Sequence, residues 1–267
     1  LLFNFSAYRI KDFLLFLNTK NYFCNILCTI VCATMCTNYA QSFAQLTTLD
    51  YNILTTNNLI NMSEKKIMVI GSSNTDMTVV ADRLPVPGET VLGGKFAMGP
   101  GGKGANQAVA AQRLGGNVSF ICKVGKDIFG ENAIRHYNNE GMDTTGIMLS
   151  EQPSGVALIS VDTHAENCIV VASGANGDIT EADIESHRKE IEAASILLLQ
   201  LEIPVEAVVR AAKIGHEAGV YVVLNPAPAC DLPEEIYQYL SLIIPNQTEI
   251  ALMTGIEARD EEGAAKA

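Results

Sequence analysis

Two short stretches concentrate side chains able to hold a ligand rich in hydroxyl groups. The first, Gly71-Ser72-Ser73-Asn74-Thr75-Asp76, follows a short apolar run at 67–71. The second, Gly99-Pro100-Gly101-Gly102-Lys103-Gly104-Ala105-Asn106, opens a stretch of small residues with helical spacing. A carboxylate accepts hydrogen bonds, an ammonium donates them, and a carboxamide does both in fixed directions. Asn74 and Asp76 facing Lys103 and Asn106 could therefore bind several hydroxyls at once. Glycines would let the backbone approach such a ligand closely, and the helix start would offer unpaired N–H groups. Asn74 and Asp76 fit an ordinary turn with a cap equally well, and residue chemistry alone leaves these two readings level.

Two other Gly-rich patterns fail on this sequence. Gly99-x-Gly101-x-x-Gly104 has the spacing of a dinucleotide fingerprint, which belongs directly after the first strand. Here the first strand ends far upstream, at Gly71. The phosphate loop of ATPases needs a Gly, four residues, then Gly-Lys-Ser/Thr. Counting back from Gly102-Lys103 gives Ala97, and Gly104 follows the lysine, so both ends break the pattern.

The elements that must position these residues read as follows. A strand is predicted at 67–71, a second at 77–81, and Gly-broken strand pieces at 91–98, with a turn at 83–88 between them. Helices are predicted at 105–114 and 128–139 on either side of a strand at 118–124. Strands at 156–161 and 168–172 form a pair that turns at 164–166. A regular alternation follows: helix 181–194, strand 196–201, helix 205–218, strand 221–224, short helix 234–240, strand 242–244 and helix 249–253. Alternation with continuous apolar strands implies a parallel sheet covered on both faces. The early Gly-broken strands fall outside that rhythm and predict a small separate sheet, a lid or oligomer contact. Asn74 and Asp76 are then expected in the loop after the first strand, where α/β sheets bind ligands.

Composition sets the outer limits. The chain has 267 residues, 48% of them hydrophobic and 18% charged, with a net charge of −12. That balance argues against nucleic-acid binding, which draws on a basic face. All 21 Gly and all 9 Pro lie at or after Met62, whereas ten of the 17 aromatic residues precede it. A boundary at Met62 follows. Residues 1–61 allow three readings: a signal peptide, a membrane anchor whose apolar run falls short of the ~20 residues needed, or upstream sequence read in frame with Met62 as the true start. The third is preferred, leaving 1–61 as an extension outside the domain. Cys24, Cys28, Cys32 and Cys36 line one helical face but would be strung over about 18 Å at ~1.5 Å per residue, too far to surround one metal ion. Cys122, Cys168 and Cys230 are scattered singly, which suits a reducing, cytoplasmic compartment.

The motifs together resemble the ribokinase branch of the PfkB carbohydrate kinase family. They are Gly71-Ser72-x-Asn74-x-Asp76, Pro87-Gly88-Glu89-Thr90, Gly101-Gly102-Lys103-Gly104-Ala105-Asn106-Gln107-Ala108, Gly155-Val156-Ala157-Leu158-Ile159, Leu199-Gln200-Leu201-Glu202, Asn225-Pro226-Ala227-Pro228-Ala229 and Pro245-Asn246-Gln247-Thr248-Glu249. They run in order from Met62 to the end. The resemblance implies a three-layer α/β sandwich with a mainly parallel sheet and a small β-sheet lid, its segments near 77–98 and 155–173. It implies ATP-dependent phosphorylation of D-ribose at O5, magnesium and potassium ions, and a homodimer through the lid, with no nucleic acid or membrane as partner. Asn74, Thr75 and Asp76 would hold ribose hydroxyls. Gly102, Lys103, Gly104, Ala105 and Asn106 would complete the pocket, and Glu202 would reach the sugar from a neighbouring strand end. Asn246 would sit near the nucleotide phosphates, and Glu249 would act on magnesium through water. A related kinase for another sugar or a nucleoside, or a sugar-binding fragment without catalysis, are the alternatives.

The family's catalytic base is an Asp in a Gly-Ala-Gly-Asp turn. The nearest string here, Gly174-Ala175-Asn176-Gly177-Asp178, carries an inserted position and sits before an acidic helix start. Asp178 is therefore read as a turn or cap residue, and the base is expected beyond Ala267. Residues 62–267 would then be an incomplete kinase domain, inactive alone, without most of the adenine pocket and without the potassium site.

Overall fold

The computed structural model describes residues 65–267, so the cysteines before Met62 and the readings of residues 1–61 lie outside the described residues. In chain order the elements up to the middle of the chain are β1 (Lys66–Ile70), β2 (Asn74–Val80), β3 (Lys95–Gly101), α1 (Lys103–Arg113), β4 (Asn117–Gly125), α2 (Ile128–Asn139), β5 (Ile147–Ser150), β6 (Gly155–Val161) and β7 (Asn167–Ala172). Then come a 3-10 turn (Gly174–Asp178), α3 (Glu181–Ser186), α4 (Arg188–Glu192), β8 (Ile196–Leu199), α5 (Val205–Glu217) and β9 (Tyr221–Leu224). A second 3-10 turn (Glu234–Tyr239), β10 (Leu242–Ile243), α6 (Gln247–Thr254) and α7 (Glu261–Lys266) complete the series.

Six strands form one sheet in the order β10-β9-β8-β1-β4-β5. All its pairings are parallel, as the unbroken apolar runs require. β1 and β8 lie in the middle, and Val69, Ile70, Leu197 and Leu199 are closed to solvent. From β1 the chain first builds outward through β4 and β5, then returns to build β8, β9 and β10 on the other side. The order reverses between β1 and β8, and a crevice opens at the C-terminal edge of such a reversal.

The second sheet has the order β3-β2-β6-β7, with β2 and β6 parallel and both outer pairs antiparallel. Its register places Met98, Met77, Leu158 and Val170 in one row, with Phe96 and Val79 in the next row on that face. Phe96, Met98, Leu158 and Val170 are each more than half exposed. Asp76, Ala157 and Val171 belong to the opposite face, because side chains alternate along a strand.

Several expected boundaries move for local reasons. β2 begins at Asn74 rather than Met77, so Asn74 and Asp76 are strand residues and not loop residues. β3 begins at Lys95, after Gly93 and Gly94, and runs to Gly101, three residues past the expected end at Met98. The helix expected at 181–194 divides at His187, where the Ser186 hydroxyl donates to the Asp183 carbonyl (2.6 Å) and competes with continued helix bonding. β5, whose four residues gave too short a run to read, adds the sheet's edge strand.

The β1–β2 link and the start of α1 pack main chain against main chain. Gly102 has φ 93°, and a Cβ there would lie 2.8 Å from the Asn74 nitrogen and 2.9 Å from the Ser72 carbonyl oxygen. Conformational strain and overlap thus have the same sign, and Gly102→Ala is expected to cost about 3 kcal/mol. Gly99 in β3 has open space in place of a Cβ. Gly99→Ala should therefore leave the urea midpoint nearly unchanged while Gly102→Ala lowers it; equal midpoints would contradict this packing. Among the described residues no helix is long and apolar enough to cross a membrane.

Candidate functional site

The first turn of α1 is sealed by two residues from elsewhere in the crevice. Lys103 N donates to Glu202 Oε2 (2.9 Å), Gly104 N to Ser72 Oγ (3.3 Å), and Ala105 N to the Ser72 carbonyl (2.9 Å). Ser72 Oγ donates in turn to Glu202 Oε2 (2.5 Å). A carboxylate at this end is also favoured by the helix dipole. The N–H groups expected to await a ligand are therefore engaged by the protein. The close approach made possible by Gly102 and Gly104 is likewise to the 71–74 backbone and not to a ligand.

A cleft of about 360 Å3 opens beside this junction, lined by Asn74, Asn176 and Glu202 among polar residues and by Val171, Leu201 and Pro228 among apolar ones. Asp76 lies on the same face of β2 as Asn74, two residues further on. Its carboxylate occupies the space over Gly101 that a Cβ would fill. Among the described residues that carboxylate has no hydrogen-bond partner. Burial pushes the Asp76 carboxyl above the usual Asp value, and the nearby Glu202 charge adds to the rise. A partly buried acceptor without a donor is costly unless a ligand supplies one.

Other expected site residues fall in different places. Thr75 points to the opposite face of β2 from Asn74 and Asp76, so strand alternation removes its side chain from the cleft side. Gly104 and Ala105 are buried, with their amides spent on Ser72. Lys103 and Asn106 are partly exposed on the first turn of α1. Asn246 caps α6: its Oδ1 accepts from Glu249 N (2.8 Å), while its own N and Nδ2 donate to Glu249 Oε2 (2.7 Å) and Oε1 (2.8 Å). This cap follows β10, two strands from β8, which puts it about 10 Å along the sheet edge at ~4.8 Å per strand. No group of three or more His, Cys, Asp or Glu side chains among the described residues could hold a metal ion. Asp178 ends its 3-10 turn and accepts from Ser150 Oγ (2.6 Å), while its carbonyl accepts from Lys123 Nζ (2.8 Å).

Sequence reasoning passed over Asn176. It is buried, and its Oδ1 accepts from Ser73 N (2.8 Å). Its Nδ2 donates to the Ser73 carbonyl (3.2 Å) and to Asn74 Oδ1 (2.7 Å). Ser73 Oγ also bonds the buried Tyr137 hydroxyl (2.6 Å). An amide held in a Gly-flanked turn directly after the second sheet was the available signal; attention to Asp178 in the same string obscured it.

The profile described as "pfkB family carbohydrate kinase" matches residues 64–267. This chain belongs to the PfkB family of carbohydrate kinases. Among PfkB relatives it is 43% identical to "Ribokinase" of Haemophilus influenzae over 204 residues, covering 76% of this chain and 67% of that one. It is 38% identical to "Deoxyribokinase" of Salmonella typhi, covering 71% and 63%. The solved "Structure of Arabidopsis thaliana Ribokinase complexed with Ribose and ATP" superposes with a TM-score of 0.67 at 28% identity, covering 76% of this chain and 66% of that one. The chain thus spans about two thirds of the length of these PfkB relatives. The expected mixed α/β fold with a mainly parallel sheet and a second small sheet is the fold it shares with them.

The raised Asp76 carboxyl gives a direct check. By carbon NMR its titration midpoint should lie above 3.8 and move down in Glu202→Gln, though only in part, since burial is the larger cause. Between the unfolded and folded values the folded protein holds the extra proton, so this group's contribution to stability should fall as pH rises through that window. A midpoint at or below 3.8 would contradict the geometry.

Proposed function

We propose that the protein is a pentose kinase that transfers the γ-phosphoryl group of ATP to O5 of D-ribose. The observation carrying this reading is the Asp76 carboxylate, partly buried, without a donor among the described residues, on the same face of β2 as the cleft-lining Asn74 and within reach of the Glu202 charge. Ribose hydroxyls would donate to Asp76 and to the free lone pairs of Glu202, and would accept from Asn74, with Lys103 and Asn106 closing the pocket from α1. Gly102, Gly104 and Ala105 contribute by holding the backbone that carries those groups, and Thr75 contributes main chain only. The family membership and the relative named as a ribokinase support the reaction class. The relative named as a deoxyribokinase supports a second reading, in which 2-deoxyribose is the acceptor. Turnover on the two sugars separates them.

In this reading the nucleotide lies further along the sheet edge, with Asn246 beside its phosphates. Both Glu249 oxygens already accept one bond each, and each retains a lone pair. That fits an outer role through water toward magnesium, an ion that keeps several waters and is bound largely by phosphate oxygens. Magnesium bound with ATP would neutralise charge on the transferring phosphoryl group. The base for O5, and the potassium site expected of the whole enzyme, are assigned to sequence beyond Ala267. Formation of ribose 5-phosphate by residues 62–267 alone would overturn that assignment. We place the enzyme in the cytoplasm.

The exposed apolar row Met98, Leu158 and Val170, with Phe96 beside it, supports a homodimer formed through the outer face of the second sheet. Leu158→Glu should convert a dimer to a monomer in sedimentation experiments; a wild-type protein that sediments as a monomer would refute it.

Asp76→Ala in the full-length protein should weaken ribose binding about 100-fold, because a charged hydrogen bond contributes roughly 1.5–3 kcal/mol and neighbouring hydroxyls lose their orientation. Calorimetry measures this, and unchanged ribose affinity would remove Asp76 from the pocket.

A further inference from the structure

We propose that Asn176 is a positioning residue that fixes the hydrogen-bond polarity of Asn74, so that the cleft presents Asn74 as a donor. The inference rests on the sugar-site reading above and specifies what that site demands of its ligand. Its starting point is a pair of groups whose polarity cannot reverse. Ser73 N–H can only donate, and the Ser73 carbonyl can only accept. Asn176 bonds both, with Oδ1 on the N–H and Nδ2 on the carbonyl. Its amide orientation is therefore dictated by main chain and not by a free choice between oxygen and nitrogen.

The same Nδ2 has a second hydrogen, directed at Asn74 at 2.7 Å. The Asn74 atom facing it must be an acceptor, which is Oδ1. With Oδ1 turned to Asn176, the NH2 is the group that Asn74 presents to the cleft, and it has no partner among the described residues. Gly155 makes this contact possible, because a Cβ there would overlap both the Asn176 Nδ2 and the Asn74 Oδ1 atoms. Asn176 is 1% exposed and Asn74 6% exposed, so water cannot readily replace either partner. Polarity passes from the Ser73 backbone through Asn176 to Asn74.

Asp76 and Glu202 only accept when ionised. On the β2 side of the site, two acceptors beside one fixed donor select a ligand whose hydroxyls donate to the carboxylates while one hydroxyl oxygen accepts from Asn74, whatever Lys103 and Asn106 add from α1. At that position fluorine, which accepts but cannot donate, should replace hydroxyl better than hydrogen does. Asn176→Asp tests the transmission. Its second oxygen accepts where Nδ2 donated, so Asn74 must turn its NH2 toward residue 176 and present Oδ1 to the cleft.

The experiment measures binding of ribose, and of its singly deoxygenated and singly fluorinated analogues, to full-length wild-type and Asn176→Asp protein by calorimetry. Wild type should show one hydroxyl position where the fluoro analogue binds better than the deoxy analogue. Asn176→Asp should lose or reverse that preference and bind ribose at least about tenfold more weakly, the equivalent of ~1.4 kcal/mol. A loss of general packing would weaken all analogues together and leave their ratio unchanged, which would overturn the inference. If Asn176→Asp does not fold, side-chain amide resonances of the wild-type protein decide. Asn74 NH2 signals should shift on ribose addition while Asn176 signals stay in place, and the opposite pattern overturns the proposal. Ribose binding by wild type tests the sugar-site reading separately. A protein that binds ribose without the fluoro preference refutes this inference alone, and one that binds no ribose refutes both.

Discussion

The Glu202 carboxylate holds the crevice together. Through one oxygen it accepts from the Ser72 hydroxyl and from the first amide of α1, so it joins three chain segments that are distant in sequence. α1 cannot begin where it does unless some acceptor meets its first N–H groups, since a buried helix end without partners is costly. Ser72 supplies the next two acceptors and is itself held by Glu202. Gly102 and Gly104 then become obligatory, because the β1–β2 link and the helix start occupy adjacent space. The result is a rigid corner at which the chain's chemistry-bearing residues are gathered.

That corner explains why Asp76 has no donor among the described residues. Glu202 is committed to the helix end, and Gly101 leaves the space in which the Asp76 carboxylate sits. Burial favours its protonation, and the charge of another carboxylate, Glu202, adds to that. A ligand rich in hydroxyl donors would relieve the missing hydrogen bonds, and in the proposed sugar site those unfavourable electrostatics would become selectivity for such a ligand. On the other side of the second sheet the same strands carry an apolar row. One sheet thus borders the cleft with one face and exposes apolar side chains on the other.

Much of this was legible in the chain itself. Unbroken apolar runs such as 196–199 announced a buried parallel strand, and glycine after 205–218 marked the end of a helix correctly. Asn74 and Asp76 stood out because they follow the end of the first strand, where α/β sheets bind ligands, and Glu202 because the family resemblance puts it at another strand end. The reading went astray where contacts from distant residues decided the outcome. Asn74 to Asp76 became strand because β3 and β6 pair with them, which no local signal around 74–76 reports. The glycines of 101–104 suggested closeness to a ligand, yet Gly102 and Gly104 accommodate the protein's own main chain, and Gly101 accommodates its own carboxylate.

The family, the strand–helix rhythm and the identity of the groups able to meet hydroxyls can be read along the chain, because those depend on residue type and order. Which of those groups remain available emerges with folding. Hydrogen-bonding capacity is finite, and its allocation depends on partners far apart in sequence. Ser72 and one oxygen of Glu202 spend theirs on α1, and Asn246 and Glu249 spend much of theirs on each other. Asn176 turns the oxygen of Asn74 toward itself, and among the described residues Asp76 is left with its acceptors open.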